Sequence, residues 1–171
     1  AAPAGRQVVL VDRPNSAQSV VRVGNLGLRR ADDDWVPFSL ANQVLGGGVA
    51  SRLFMDLREL RSLTYGAYSR AVGNVQAGPW FAGGQVRTAV TGDALHALFT
   101  HVGCMTSDAP PEEELAQTRA FLVDSFPLRI ESAASLADLV NDLRVYGLSD
   151  DWYDRFRTRV QGTDAAASLA I

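Results

Sequence analysis

The chain has 171 residues, 47% of them hydrophobic, a length and composition suited to one domain with a sizeable buried core and unlike a disordered chain. Net charge is -3 from 16 basic and 19 acidic residues, which gives no electrostatic case for binding nucleic acid or an anionic membrane. Every basic residue is Arg and none is Lys; the arginines are scattered along the chain and read as a coding bias.

In chain order, residues 7–13 (QVVLVDR) are short and β-branched and end at Pro14-Asn15, which predicts a strand and a turn. Residues 18–28 (QSVVRVGNLGL) alternate in part and predict a second, half-buried strand. Asp32, Asp33 and Asp34 suit a helix start, and Trp35, Phe38, Leu40, Val44 and Leu45 supply its apolar face, with Pro37 tolerated in the first turn. Gly46, Gly47 and Gly48 follow. They predict a joint that ends this helix through residues tolerant of positive φ and lets the next one leave at a sharp angle; a flexible hinge or a close backbone contact with a ligand stays open.

Residues 51–62 predict that next helix, with Leu53, Phe54, Leu57 and Leu60 at helical spacing and Arg52, Asp56, Arg58, Glu59 and Arg61 on the other faces. Residues 65–75 and 80–90 read as two strands joined by the turn-rich QAGP. Helices are then expected at 91–105, at 112–124 after Pro110-Pro111, at 131–145 and at 150–160. The order β-β-α-α-β-β followed by helices predicts an α+β fold, a sheet of at least four strands with helices on one face, and not a doubly wound nucleotide fold. No apolar run approaches the ~18 residues of a membrane span.

Few residues offer chemistry. The glycine triplet lacks the Gly-Lys-Ser/Thr of a phosphate loop. His96 and His101 are five apart with no Glu between them, a poor zinc spacing. Cys104 excludes an internal disulfide and a Cys-based zinc cluster, reads as a small buried filler, and says little about compartment; bacterial cytoplasm and periplasm both stay open. That leaves Arg58, near a helix end, and Tyr65, where the next strand begins. Such a pair can point into one cleft, the guanidinium offering rigid donors and the phenol one hydroxyl for a carbonyl or an oxyanion. An ordinary surface Arg and a half-buried Tyr are the plain alternative.

The stretch LGGGVASRLFMDLRELRSLTYGAYS (45–69) resembles the signature of the C-terminal-half, zinc-less domains of pitrilysin-type zinc metallopeptidases, the family of insulin-degrading enzyme and the mitochondrial processing peptidase. The matching parts are the three glycines, Ser51–Phe54, Leu57–Glu59 and Leu63–Tyr65. The resemblance extends to VLVDRPNSAQSVVRVG and to FLVDSFPLRIESAASLADLVNDLRVYGLSDDWYDRF, nearly the whole chain. It implies a mostly antiparallel sheet with helices on one face, as one domain over 1–171. It further implies a zinc-bearing N-terminal-half domain, on the same chain or a separate subunit, with which this half closes a peptide-binding chamber. Arg58 and Tyr65 match the family's pair, which binds substrate backbone and stabilises the tetrahedral intermediate.

The family's zinc motif, H-x-x-E-H, is absent from the chain, so the resemblance puts zinc in the partner half and no cofactor here. The chain also stops at GTDAAASLAI, where the family continues to a closing strand. The expectation is a piece of a longer protein whose sheet edge is left unpaired or paired with a second copy of itself. A catalytically inactive structural or interaction subunit of the same fold is the competing expectation.

Overall fold

A computed structural model describes residues 5, 8, 9 and 11–167. Its sheet has three antiparallel strands among those residues, β1 (Gln18–Leu26), β2 (Thr64–Ala71) and β3 (Pro79–Arg87), in the order β1-β3-β2. The central strand pairs Val21 with Gly84 on one side and Ala67 with Gly84 on the other. Six helices accompany it: α1 (Trp35–Gly46), α2 (Arg52–Phe54), α3 (Thr91–Ser107), α4 (Glu112–Asp124), α5 (Ala133–Val145) and α6 (Trp152–Gly162).

The α+β class is the one expected, and the strand alternation explains it. Val21, Ala67, Ser69, Ala82 and Val86 are buried under the helices, while Val20, Tyr68, Arg70, Gln85 and Arg87 alternate with them and are exposed on the other face. Leu45, Leu53, Leu57, Ala94, Ala97 and Leu98 close one core against the sheet. A second core joins α1, α4 and α6 through Val36, Leu40, Leu115, Val123, Phe156 and Val160. Helix α1 is thus apolar on two sides because it is sandwiched between the sheet and the outer helices. The polar link Trp80 Nε1–Asn42 Oδ1 (3.0 Å), with Ser69 Oγ donating to the Asn42 carbonyl (3.0 Å), ties it to the sheet.

Three expectations are corrected. Within the expected first strand, 7–13, Gln7 and Leu10 lie outside the described residues, and Val8, Val9 and Val11 are exposed and form no strand, because no described strand offers them a ladder. The sheet therefore has three strands and not four among the described residues. The third expected strand's far end and the last part of the fourth also leave the ladder: residues 72–75 are loop, and Thr88–Val90 is a tight 3-10 turn feeding α3.

The glycine triplet is corrected in its physical reason. None of Gly46, Gly47 and Gly48 has positive φ; the chain's left-handed glycines are Gly5 and Gly147. Gly46 is instead where α1 touches β2, since a β-carbon there would lie 2.2 Å from the Ser69 backbone nitrogen. A β-carbon on Gly48 would meet only the Gln43 side chain, and one on Gly47 the Gln43 side chain and its backbone Cα.

Candidate functional site

The segment carrying Arg58 is not the regular helix its spacing predicts. After α2 the chain widens into a π-helical turn over Met55–Leu60, with Arg61 N–H donating to the Asp56 carbonyl (2.9 Å) and Leu63 N–H to the Leu57 carbonyl (2.8 Å). Ser62, at φ 51°, completes the reversal into β2. Side chains match this wide turn: Asp56 and Arg61, five apart, meet at 2.9 Å, and the second Asp56 oxygen lies 2.9 Å from His101 Nε2 on α3. Leu53 and Leu57 are buried beneath and anchor the segment to the core.

Burial opposes the charge on Asp56, but hydrogen bonds from Arg61 and His101 and their positive charges outweigh it, and its pKa is lowered. A lowered folded pKa means that the stabilisation is complete above the unfolded carboxylate value, about 4, and is lost as pH falls through the folded value. The Asp56 side chain is only 16% exposed, so Asp56→Asn should cost about 1–3 kcal/mol at neutral pH. That deficit should shrink towards zero in acid; thermal melts of both proteins across the acid range check it, and a deficit independent of pH would rule out the ionised pair.

Arg58 projects outward from this turn. Its guanidinium stacks 4.7 Å from the Phe54 ring centre and its Nε is 3.5 Å from Glu59 Oε1, with the side chain 44% exposed. Tyr65 sits at a β-bulge, where the pairing of β2 with β3 slips between Thr64 and Ala67. The Thr64 hydroxyl holds the bulge by donating to the Gln85 carbonyl (2.6 Å) and accepting from Gly66 N–H (3.1 Å). A bulge re-aims a side chain, and Tyr65 is 91% exposed, its hydroxyl without a hydrogen-bond partner among the described residues.

Arg58 and Tyr65 border one cleft of about 420 Å³, together with Glu59, Gln18, Gln85 and Arg87. Tyr65 also borders a neighbouring cleft of about 660 Å³, whose wall includes Gly46, Gly47, Gly48, Phe54 and Tyr68. All five residues singled out in the sequence thus line two adjacent clefts that share the Tyr65 side chain. Chemically the arrangement offers hydrogen-bond donors to a chain of carbonyls, with the Glu59 carboxylate at the cleft wall held 3.5 Å from Arg58 Nε.

Other residues here escape a reading by spacing alone. The bulge, the Asp56–His101 contact and an Arg22–Tyr68–Phe81 cluster on the open sheet face all join segments far apart in the chain. The only available signal was phase: Arg22 and Tyr68 alternate with the buried Val21 and Ser69. The histidines do not converge, His101 being held by Asp56 while His96 is exposed. Among the described residues no group of three or more His, Cys, Asp or Glu could hold a metal ion, and no helix is long and apolar enough to cross a membrane.

Comparison with known proteins bears on the fold and the family. A zinc protease of Streptomyces coelicolor, itself uncharacterised, is 29% identical over 137 residues, which are 80% of this chain and 29% of that protein. The crystal structure of the peptidase M16 inactive domain from Pseudomonas fluorescens superposes with a TM-score of 0.85 at 28% identity, covering 91% of this chain and 37% of that one. A Helicobacter pylori protease shares the fold, with a TM-score of 0.83 at 16% identity over 93% of this chain and 38% of that one. The chain therefore spans about a third of the length of such relatives. The model of the Peptidase M16 inactive domain matches residues 1–122, and on this match the chain belongs to the family of M16 peptidase inactive domains.

Proposed function

We propose that this chain is the non-zinc half of a zinc endopeptidase, and that it closes a peptide-binding chamber against a zinc-bearing half on the same polypeptide or on a separate subunit. The observation that carries the reading is the pair Arg58 and Tyr65: both are exposed and border one open cleft, and the Tyr65 hydroxyl has no hydrogen-bond partner among the described residues. Zinc has no place among this chain's own described residues, since His101 is engaged by Asp56 and no three ligands converge. When bound in the partner half, the metal supplies the activated water of hydrolysis.

The residues here then bind and orient. Arg58 donates to substrate backbone carbonyls, and its stacking on Phe54 limits the freedom it loses in doing so. Tyr65 donates its hydroxyl to the carbonyl oxygen that gains negative charge as water adds. The two clefts flanking Tyr65 run along β2 and the start of β1, where an extended peptide can lie.

The test is hydrolysis of an unstructured peptide by the zinc-bearing half with and without this domain. Activity should fall by orders of magnitude when the domain is absent and return when it is supplied. A zinc half that is fully active alone would reduce this chain to a structural or interaction subunit.

A further inference from the structure

The three strands contain no Asp or Glu, and their only charged residues are Arg22, Arg70 and Arg87. Each follows a residue buried under the helices — Val21, Ser69 and Val86 — so all three project from the open face. None of them has an acidic partner among the described residues, although the chain as a whole is acid-rich and arginines elsewhere, such as Arg52, Arg61 and Arg119, are ion-paired. Scattered in sequence, these guanidiniums are gathered by the ladder.

The register arranges them with aromatic neighbours. One row across the sheet reads Arg22, Gly83, Tyr68, and the next reads Gly24, Phe81, Arg70. Arg22 lies 4.7 Å from the Phe81 ring centre and its Nη2 donates to the Tyr68 hydroxyl at 3.4 Å, while Tyr68 and Phe81 meet edge to face at 6.2 Å. Gly83 and Gly24 leave the floor between them without side chains. The patch is continuous with the clefts of the preceding section, because Tyr68 borders one and Arg87 the other.

From this we infer that the open sheet face is a substrate subsite for an acidic peptide segment, with carboxylates four positions apart meeting Arg22 and Arg70 and an apolar or aromatic residue midway between them resting on Tyr68 and Phe81. The inference rests on the proposed peptide-chamber role and adds the substrate class. Arginine forks bind carboxylates bidentately, and an extended peptide presents alternate side chains to one face, so that its first, third and fifth side chains can meet Arg22, the Tyr68–Phe81 pair and Arg70 in turn as it crosses the three strands. Glu59, at the cleft rim, is held near Arg58 and lies beyond these rows.

The experiment is direct binding of two fluorescein-labelled peptides of equal length to the chain, Ser-Glu-Ser-Phe-Ser-Glu-Ser and the same peptide with Lys at both Glu positions, read by anisotropy at low and physiological salt. The acidic peptide should bind about tenfold or more tighter, and the preference should shrink as salt rises. The double substitution Arg22→Gln, Arg70→Gln should abolish the preference, whereas Arg144→Gln, an exposed arginine on α5, should leave it intact. Equal binding of the two peptides, tighter binding of the Lys peptide, or an equal effect of Arg144→Gln overturns the inference. Binding of neither peptide overturns it as well, while the chamber role is decided separately by hydrolysis with the zinc-bearing half.

Discussion

In the proposed two-half protease, Tyr65→Phe should lower kcat by about 10²–10³, the loss that follows removal of one oxyanion donor, roughly 3–4 kcal/mol. The substitution keeps the ring and removes only a hydroxyl that has no partner within the described chain. With Tyr65 91% exposed, nothing in the core notices, and the melting temperature should not move. Arg58→Ala should raise KM as well as lower kcat, because a donor to the substrate backbone acts in ground and transition states alike. Its stability cost should stay below about 1 kcal/mol, since the exposed contact with Glu59 is the weak kind of ion pair. Steady-state kinetics and melts on the same preparations separate the two roles. Unchanged turnover in Tyr65→Phe would leave a shared fold without a shared chemistry and favour the structural-subunit reading.

The largest effect on stability is expected at Gly46. An added β-carbon would sit 2.2 Å from the Ser69 backbone nitrogen and 2.7 Å from both Ser69 Oγ and the Tyr68 carbonyl carbon. Those are mostly backbone atoms of a paired strand and cannot rotate away. Gly46→Ala should therefore force α1 off β2 and cost about 3 kcal/mol, at the severe end of overpacking. For a domain of this size that is a fall of roughly 6–12 °C in Tm. Gly48→Ala is the contrasting control, since its β-carbon would meet only the movable tip of Gln43, 3.1 Å away. The same displacement would disturb the 660 Å³ cleft, which both Gly46 and Tyr65 line, so Gly46→Ala should also lose activity among molecules that remain folded. Equal melting temperatures for the two variants would mean that the helix end does not bear on the strand.

Much of the fold was legible because it is written in local periodicity. The helix at Glu112–Asp124 has the bounds its Pro110-Pro111 start and acidic first turn predict, and α1 begins at Trp35 after the three aspartates as expected. The strands at 18–26, 64–71 and 79–87 lie within two to four residues of where alternation puts them. Other features were legible in kind and mistaken in mechanism. A glycine triplet after a helix suggests backbone freedom, yet Gly46 is required by contact with a strand more than twenty residues away. A run of leucines at helical spacing suggests a uniform helix, yet the turn over Met55–Leu60 is widened where Asp56 is held by both Arg61 and His101.

By itself the sequence determined the order of elements from residue 18 onward and the absence of a zinc motif, since each depends on residue type and short spacing, while Arg58 and Tyr65 were singled out by the resemblance of residues 45–69 to the family's motif. Only the tertiary structure decided how those residues are presented. The bulge at Tyr65 exists because β2 and β3 pair out of step there, and pairing is a relation between strands that neither strand contains. The gathering of Arg22, Arg70 and Arg87 onto one face follows from the antiparallel register of three segments spread over 70 residues of chain. Side-chain period tells which residues share a face of one strand; the hydrogen-bonded ladder alone sets which strands share that face.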